Sequence, residues 1–252
     1  KAFDAKGAGS TASTLAALEY AREKGIRLTN NSWGGPNRSA FLKEELKLHR
    51  QDGILCVAAA GNNGQNIRRN PIYPASYQLN NIISVAAIDS SHTLASFSNH
   101  GKRDVDLAAP GDNIYSTLPG NSYGYLSGTS MAAPYVSGVA ALIWSYNEHI
   151  SLDELRSTII DQVHYNQNLK DQIGSGGHLN ALQTFKVSCS PCNDWHQAFG
   201  QKNVHDMAET SGFIWMATSQ GLIKASLNSC DYTLYNKDNS IIPINRVSQV
   251  VV

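Results

Sequence analysis

The fold turns on Ile54-Leu55-Cys56-Val57-Ala58-Ala59-Ala60-Gly61-Asn62. Seven apolar residues run without a polar break into a Gly-Asn turn. A strand with one wet face alternates, whereas a strand apolar on both faces belongs to a sheet covered on both sides. The flanking segments supply the covers. Upstream, Gly7-Ala8-Gly9 is a turn, and Ser10 or Thr11 can cap a helix reaching about Lys24, with Leu15, Leu18 and Tyr20-Ala21 near one face and Gly25 as its stop. Residues 26–31 predict a short buried strand and Ser32-Trp33-Gly34-Gly35-Pro36 a loop. Residues 38–51 predict a second helix with Phe41-Leu42, Leu46 and Leu48 as apolar positions, closed by Gly53. Downstream, residues 82–88 and 105–108 read as further strands, 130–146 as a buried helix and 151–160 as a shorter capped one. Strands separated by helices predict an α/β domain: a parallel sheet with helices on both faces, in three layers.

Composition agrees. The 252 residues are 42% hydrophobic and 16% charged, which fits a buried globular core. Lys and Arg number 20 against 20 Asp and Glu, so the basic excess expected of a nucleic-acid binder is absent. The longest apolar stretch, residues 136–144, is far short of the roughly 20 residues of a membrane span. No initiator Met, basic leader or cleavage site precedes Lys1, and Val250-Val251-Val252 ends the chain on a strand-like run. Both ends read as cuts through structure.

The chemistry concentrates in Gly128-Thr129-Ser130-Met131-Ala132-Ala133-Pro134. A small-residue turn brings Ser130 to the first turn of a hydrophobic helix, where the partial positive charge of the helix N-terminus favours a developing oxyanion. A Ser in that position can equally be a helix cap. Asn62 sits at the carboxyl end of a buried parallel strand, where open α/β sheets place their ligands, although Asn-Gly pairs are also ordinary turns. Asn30-Asn31-Ser32-Trp33-Gly34-Gly35 is likewise a strand ending in a glycine pair that leaves its backbone open to a passing chain.

Ser-Trp-Gly-Gly, Ala-Ala-Gly-Asn and Gly-Thr-Ser-Met-Ala-Ala-Pro, in this order, resemble the subtilisin-like serine proteases (subtilases, peptidase S8). Tyr73-Pro74-Ala75, Ala95-Ser96-Phe97-Ser98-Asn99 and Ala108-Ala109-Pro110-Gly111 match the same family, and the similarity covers about residues 1–185. The resemblance implies a serine endopeptidase acting on polypeptides. Ser130 would be the nucleophile and Asn62 the side-chain donor to the oxyanion. Loss of such a donor lowers turnover by about 10²–10³ in a member of the family. Ser32, Trp33 and Gly34 would form one wall of the specificity pocket and Ala59, Ala60 and Gly61 the other, pairing with substrate as an added strand. Ile72 matches the pocket floor, where a branched side chain favours a small or medium residue before the scissile bond. Tyr135 departs from a His common in the family, outside the triad. Tyr73-Pro74 resembles a cis peptide of the family.

The triad itself is half present. The family order is Asp, His, Ser, yet the three histidines before Ser130 lie in an amphipathic helix (His49) or polar turns (His92, His100), and Asp4 matches an ordinary family position. The catalytic Asp and His are expected ahead of Lys1, so residues 1–185 read as the C-terminal part of a catalytic domain, nearly inactive alone. Two rivals stand. One is a non-catalytic extracellular binding or sensor protein with a degenerate protease-like domain. The other is an α/β-hydrolase esterase, which wants Gly-x-Ser-x-Gly where Ala132 takes the last place.

From about Lys186 the pattern changes. Residues 186–200 read as a linker, and short strands follow at 204–208, 213–218, 221–226 and 232–235. Trp215-Met216-Ala217-Thr218-Ser219-Gln220-Gly221-Leu222 resembles the core of two-component-regulator propeller repeats, so residues 201–252 predict a first, truncated β-propeller blade. A weak repeat places Val247 43 residues after Val204, near the period of a blade. Nothing in the sequence names a partner for it. The alternative is a small β-extension of the protease. Of the four cysteines, Cys56 reads as a core thiol. Cys189-x-x-Cys192 is a weak zinc signal, and either could pair with Cys230 in a secreted protein. By resemblance the protein would be extracellular or in the cell envelope. It would need no cofactor, with calcium as a structural ion whose ligands the sequence does not name.

Overall fold

Ser10 opens the first helix, α1 (Thr11–Glu23): its hydroxyl accepts from the Ser13 N–H, and the Ser13 hydroxyl accepts from the Ser10 N–H. The computed structural model describes residues 2–4, 7–188, 204–210, 213–226 and 232–240. After α1 come β1 (Leu28–Asn31), α2 (Ala40–Gln51) capped by Ser39, β2 (Leu55–Ala59), β3 (Ile82–Ile88) and β4 (Leu107–Pro110). A hairpin, β5 (Ile114–Leu118) and β6 (Ser122–Leu126), leads into α3 (Thr129–Tyr146). Then follow α4 (Leu152–Asp161), the short strands β7 (His164–Tyr165) and β8 (Gly177–His178), and α5 (Ala181–Ser188). These elements belong to one compact unit, Lys1–Cys189.

Its sheet has the order β1-β2-β3-β4-β8-β7, parallel throughout except where β7 runs against β8. The apolar run at residues 54–60 is the reason. On β2, Leu55 and Val57 point into a core shared with Val136, Ala140 and Ile143 of α3 and Leu155 and Ile159 of α4, while Cys56 and Ala58 point the other way, onto Leu18 of α1 and Leu42 and Leu46 of α2. On β3, Ile83, Val85 and Ala87 join the α3 side. Every residue of β2 and β3 is buried. The sheet is therefore the middle of three layers, as the sequence predicts. No helix among the described residues is long and apolar enough to cross a membrane.

Several local expectations need correction. The strand predicted at residues 26–31 begins at Leu28 and is only partly buried, because β1 is an edge strand of this sheet. Tyr20 and Phe41 face solvent, at 61% and 77% exposure: α1 and α2 pack through Thr14, Leu18, Leu42 and Leu46 instead. The strand predicted at 105–108 starts at Leu107, since the Val105 N–H donates to the Gly101 carbonyl and closes a turn. The β5–β6 hairpin has no counterpart in the apolar pattern. Tyr115, Tyr123 and Tyr125 are all exposed, so no buried face imposes a period, and only the turn at Gly120 and Asn121, both at positive φ, marks it. α5 also runs through residues 186–188, past the expected end of the helix–strand alternation.

The second unit, Ser190–Val252, holds β9 (Val204–Thr210), β10 (Phe213–Thr218), β11 (Gly221–Ser226) and β12 (Tyr232–Tyr235), an antiparallel sheet in the order β12-β11-β10-β9. Gly221, at positive φ, is required in the β10–β11 turn, because a Cβ there would strike the Tyr235 carbonyl. Cys189, Cys192 and Cys230, most of the linker at 189–200, and the repeat around Val247 lie outside the described residues.

Candidate active site

The end of β2 and the start of α3 are built against each other. Gly128 precedes α3, and its N–H donates to the Gly111 carbonyl at 2.8 Å. Gly111 must be glycine, because a Cβ there would lie 2.6 Å from Ala87 Cβ and 2.9 Å from the Gly128 carbonyl. Thr129 is the first residue of the helix and fully buried. Its N–H and its hydroxyl both donate to Asn62 Oδ1, at 2.8 and 2.9 Å, while its Oγ1 accepts from the Gly61 N–H at 3.0 Å. Two donors on one carbonyl oxygen fix the Asn62 amide, so its Nδ2 turns the other way. A Cβ on Gly128 would lie 3.2 Å from that Nδ2. The donor is thus held beside the first turn of α3.

Ser130 is the second residue of α3. Its N–H is among the first four of the helix, which have no intrahelical acceptor, at the end where the dipole favours negative charge. Its hydroxyl donates to the Ser32 carbonyl at 3.0 Å, and the Ser32 hydroxyl donates back to the Ser130 carbonyl at 2.8 Å. Pro134 explains the second bond: it has no N–H for the carbonyl four residues earlier, so that carbonyl is open to Ser32. Ser130 is no mere helix cap, since the cap position belongs to Gly128 and carries no side-chain bond.

The two glycine-bearing segments converge on Ile72. A Cβ on Gly34 would come 2.7 Å from Ile72 Cγ2, and one on Gly61 would come 3.3 Å from Ile72 Cγ1. Ala59 and Ala60 are 4% and 0% exposed, and both backbone groups of Ala60 are engaged: its N–H donates to the Val85 carbonyl at 3.0 Å and its carbonyl accepts from Asn99 Nδ2 at 2.9 Å. Gly61, at φ +101, needs glycine on two counts: its conformation, and the Asn99 Nδ2 that would sit 2.5 Å from a Cβ. Trp33 packs on the α1–α2 core with its ring 6.3 Å from that of Phe3. Tyr73-Pro74 is cis, and Tyr73 exchanges two backbone bonds with Gly35.

Two residues carry more than their motifs reveal. Asn99 donates to the Ala60 carbonyl at 2.9 Å and accepts from the Asn63 and Gln65 N–H groups at 3.0 Å, so one amide holds the turn after β2. Thr129, an inconspicuous member of Gly-Thr-Ser, aims Asn62. Only a polar residue type beside a Gly-rich turn could have hinted at either.

The histidines sit elsewhere. His49 is fully buried between α1 and α2, its Nε2 3.1 Å from the Leu18 carbonyl and 3.5 Å from Glu45 Oε1. Burial is the main reason its basicity is lowered. His92 packs on His178, with ring centres 4.6 Å apart. His100 bonds through its backbone to Gln65 and Ile67. Among the described residues, no histidine meets the Ser130 hydroxyl. Cys56 is a buried free thiol whose pKa burial pushes up to about 12, which makes it a core residue. Among the described residues, no three Asp, Glu, His or Cys side chains come together on one point. Asp106 holds the Arg156 guanidinium at 2.7 Å, and Arg68 lies 3.9 Å from Asp104.

Comparison with known proteins gives the same picture. A model of the subtilase family, peptidase S8, matches residues 1–180. Subtilisin DY of Bacillus licheniformis is 40% identical over 160 residues, 63% of this chain and 57% of that protein. The major intracellular serine protease of Bacillus subtilis (strain 168) is 44% identical over 144 residues, 56% of this chain and 44% of that protein. The chain therefore spans about half the length of these curated relatives. Among solved structures, the prenylagaramide maturation protease PagA superposes with a TM-score of 0.65 at 28% identity, over 73% of this chain and 70% of that one. With most of its length matched and the Ser130 and Asn62 motifs built into one site, the chain belongs to the subtilase family.

Proposed function

We propose that the protein is a serine endopeptidase. The observation that carries this reading is the orientation of Asn62: two bonds from Thr129 hold its Oδ1, leaving Nδ2 as a free donor next to the nucleophile's helix turn. Ser130 Oγ attacks the peptide carbonyl, and its proton passes to the histidine base of the triad. The tetrahedral oxyanion accepts from Asn62 Nδ2 and the Ser130 N–H, both present before the charge develops. Collapse expels the amine, which takes the proton, and water then repeats the sequence on the acyl-enzyme. Among the described residues no histidine meets the Ser130 hydroxyl, so the acid–base half of the reaction is left to the Asp and His that the family resemblance implies. Hydrolysis by this route requires no cofactor.

Substrate would lie between the Ser32-Trp33-Gly34 and Ala59-Ala60-Gly61 walls, with Ile72 across the floor, which favours small or medium residues before the scissile bond. Extracellular or envelope placement follows the family resemblance, although one relative is named as intracellular. For the β9–β12 sheet a propeller blade is the best reading. Both of its faces carry large side chains: Trp215 stacked on Tyr235 with Lys224 beside it on one, and Met216, Ile223, Ile214 and Leu234 on the other. A blade in a stack needs two such faces, and a lone extension needs one.

The test is fluorophosphonate labelling of the full-length protein. Labelling that Ser130→Ala abolishes is the expected result. A folded full-length protein that does not label overturns the reading.

A further inference from the structure

We infer that Ser137 and Asn30 are positioning residues for the nucleophile, acting through Ser32; the inference rests on the protease reading above. The Ser130 carbonyl, left without a helical donor by Pro134, accepts from the Ser32 hydroxyl at 2.8 Å. That hydroxyl has one proton and has now used it, so toward Asn30 it can only accept. Asn30 Nδ2 donates to it at 2.9 Å. The amide is then oriented with Oδ1 on its far side, where the Ser137 hydroxyl donates at 2.9 Å. Ser137 has a second acceptor in the Ala133 carbonyl, but at the longer distance of 3.2 Å.

Every proton in this chain points toward Ser130. Reversing the Asn30 amide would make Ser32 donate to Asn30 and abandon the Ser130 carbonyl. Ser137 favours the productive flip, because donating to Asn30 Oδ1 gives its hydroxyl the shorter of its two acceptors, 2.9 Å against 3.2 Å at the Ala133 carbonyl. It is well placed to do so: Ser137 is 8% exposed and lies one helical turn past Pro134 on α3, the helix that carries Ser130. Asn30 lies on β1 and Ser32 in the loop just after it. The brace therefore ties the nucleophile's helix to the wall segment at two levels, at Ser130 and at Ser137. It also holds the Ser32 carbonyl, on which the Ser130 hydroxyl rests. Neither Ser137 nor Asn30 bonds Ser130 or has a place in the proposed substrate path, so their effect must pass through Ser32.

The experiment is a double-mutant cycle in the full-length protein, read by fluorophosphonate acylation rate, kcat, KM and Tm. Ser137→Ala and Asn30→Asp, which cannot donate to Ser32, should each slow acylation and kcat about three- to tenfold, the scale of one neutral hydrogen bond. KM should stay within about twofold. In a Ser32→Ala background, Ser137→Ala should cause no further loss, because the two act in series. Ser137→Ala with unchanged acylation and kcat overturns the inference, as does full additivity with Ser32→Ala. A fall in kcat that tracks a fall in Tm, with KM rising alongside, shows a merely structural residue and overturns it too. A wild type that labels normally while Ser137→Ala is silent leaves the protease reading standing; an unlabelled, folded wild type removes both.

Discussion

Ile72 reaches both glycine walls at once, with one methyl-bearing branch toward Gly34 and the other toward Gly61. The two glycines and the branched side chain are therefore complementary: a Cβ on Gly34 would collide with Ile72, one on Gly61 would press tightly on it, and a smaller residue at 72 would leave space between them. Space between two backbone walls is what a substrate side chain occupies. Ile72→Ala should therefore shift preference toward larger residues before the scissile bond. In the full-length protein, the ratio of kcat/KM for Phe against Ala peptides should rise about tenfold or more, given what a few buried methylenes contribute to discrimination. Peptide substrates differing only at that residue measure it, and an unchanged ratio would place the pocket elsewhere. Ser130 and Asn62 stand in dense motifs whose small residues exist to let two backbones approach, so they are legible in the sequence. The Ser137–Asn30 brace is not, because its members are ordinary polar residues 107 positions apart that meet only after β1 and α3 pack.

At the scale of elements, the α1–α2 pair carries a buried ionic cluster. Glu45, 5% exposed, takes Arg22 at 2.8 Å, and His49 beside it is fully buried with Nδ1 unbonded. Burial lowers the pKa of His49, opposed by the Leu18 carbonyl and Glu45, while Arg22 adds to the lowering. A folded-state pKa below the ordinary value of about 6.5 means the unfolded chain binds the proton more readily. Stability is then unaffected by this group above that pH and declines as the pH falls from about 6.5 toward the folded value. Urea midpoints between pH 8 and pH 5 should show this decline, and His49→Gln should flatten it. A residual slope should remain, because His178 is lowered in the same direction by burial and by His92 and His164. An identical slope in wild type and variant would mean that His49 is solvated when folded. The histidine was visible in sequence as part of an amphipathic helix; its burial was not, since Phe41, the more apolar residue of that helix, faces out.

For the whole molecule, the parallel sheet was legible because β2 and β3 are apolar on both faces and so admit one environment only. The antiparallel sheet was legible for the complementary reason, its short strands and tight turns, of which Thr218 to Gly221 is the clearest, with Thr218 Oγ1 donating to the Gly221 carbonyl at 2.8 Å. What such a sheet packs against is a different question, and local pattern does not answer it. Met216 and Ile223 are buried at 3% and 0% exposure, yet Ile214, Trp215, Leu234 and Tyr235 are only partly covered on the two faces. A blade completes that cover with the blades beside it, and stability in such arrays grows from nearest-neighbour interfaces. Amide exchange in β10 and β11 should therefore be slower in a longer chain that carries further repeats than in residues 1–252. Each tenfold gain in protection would report about 1.4 kcal/mol contributed by the added interface. Equal protection in the two chains would mean that these four strands are complete as they stand, which is the behaviour of an extension to the protease and not of a blade.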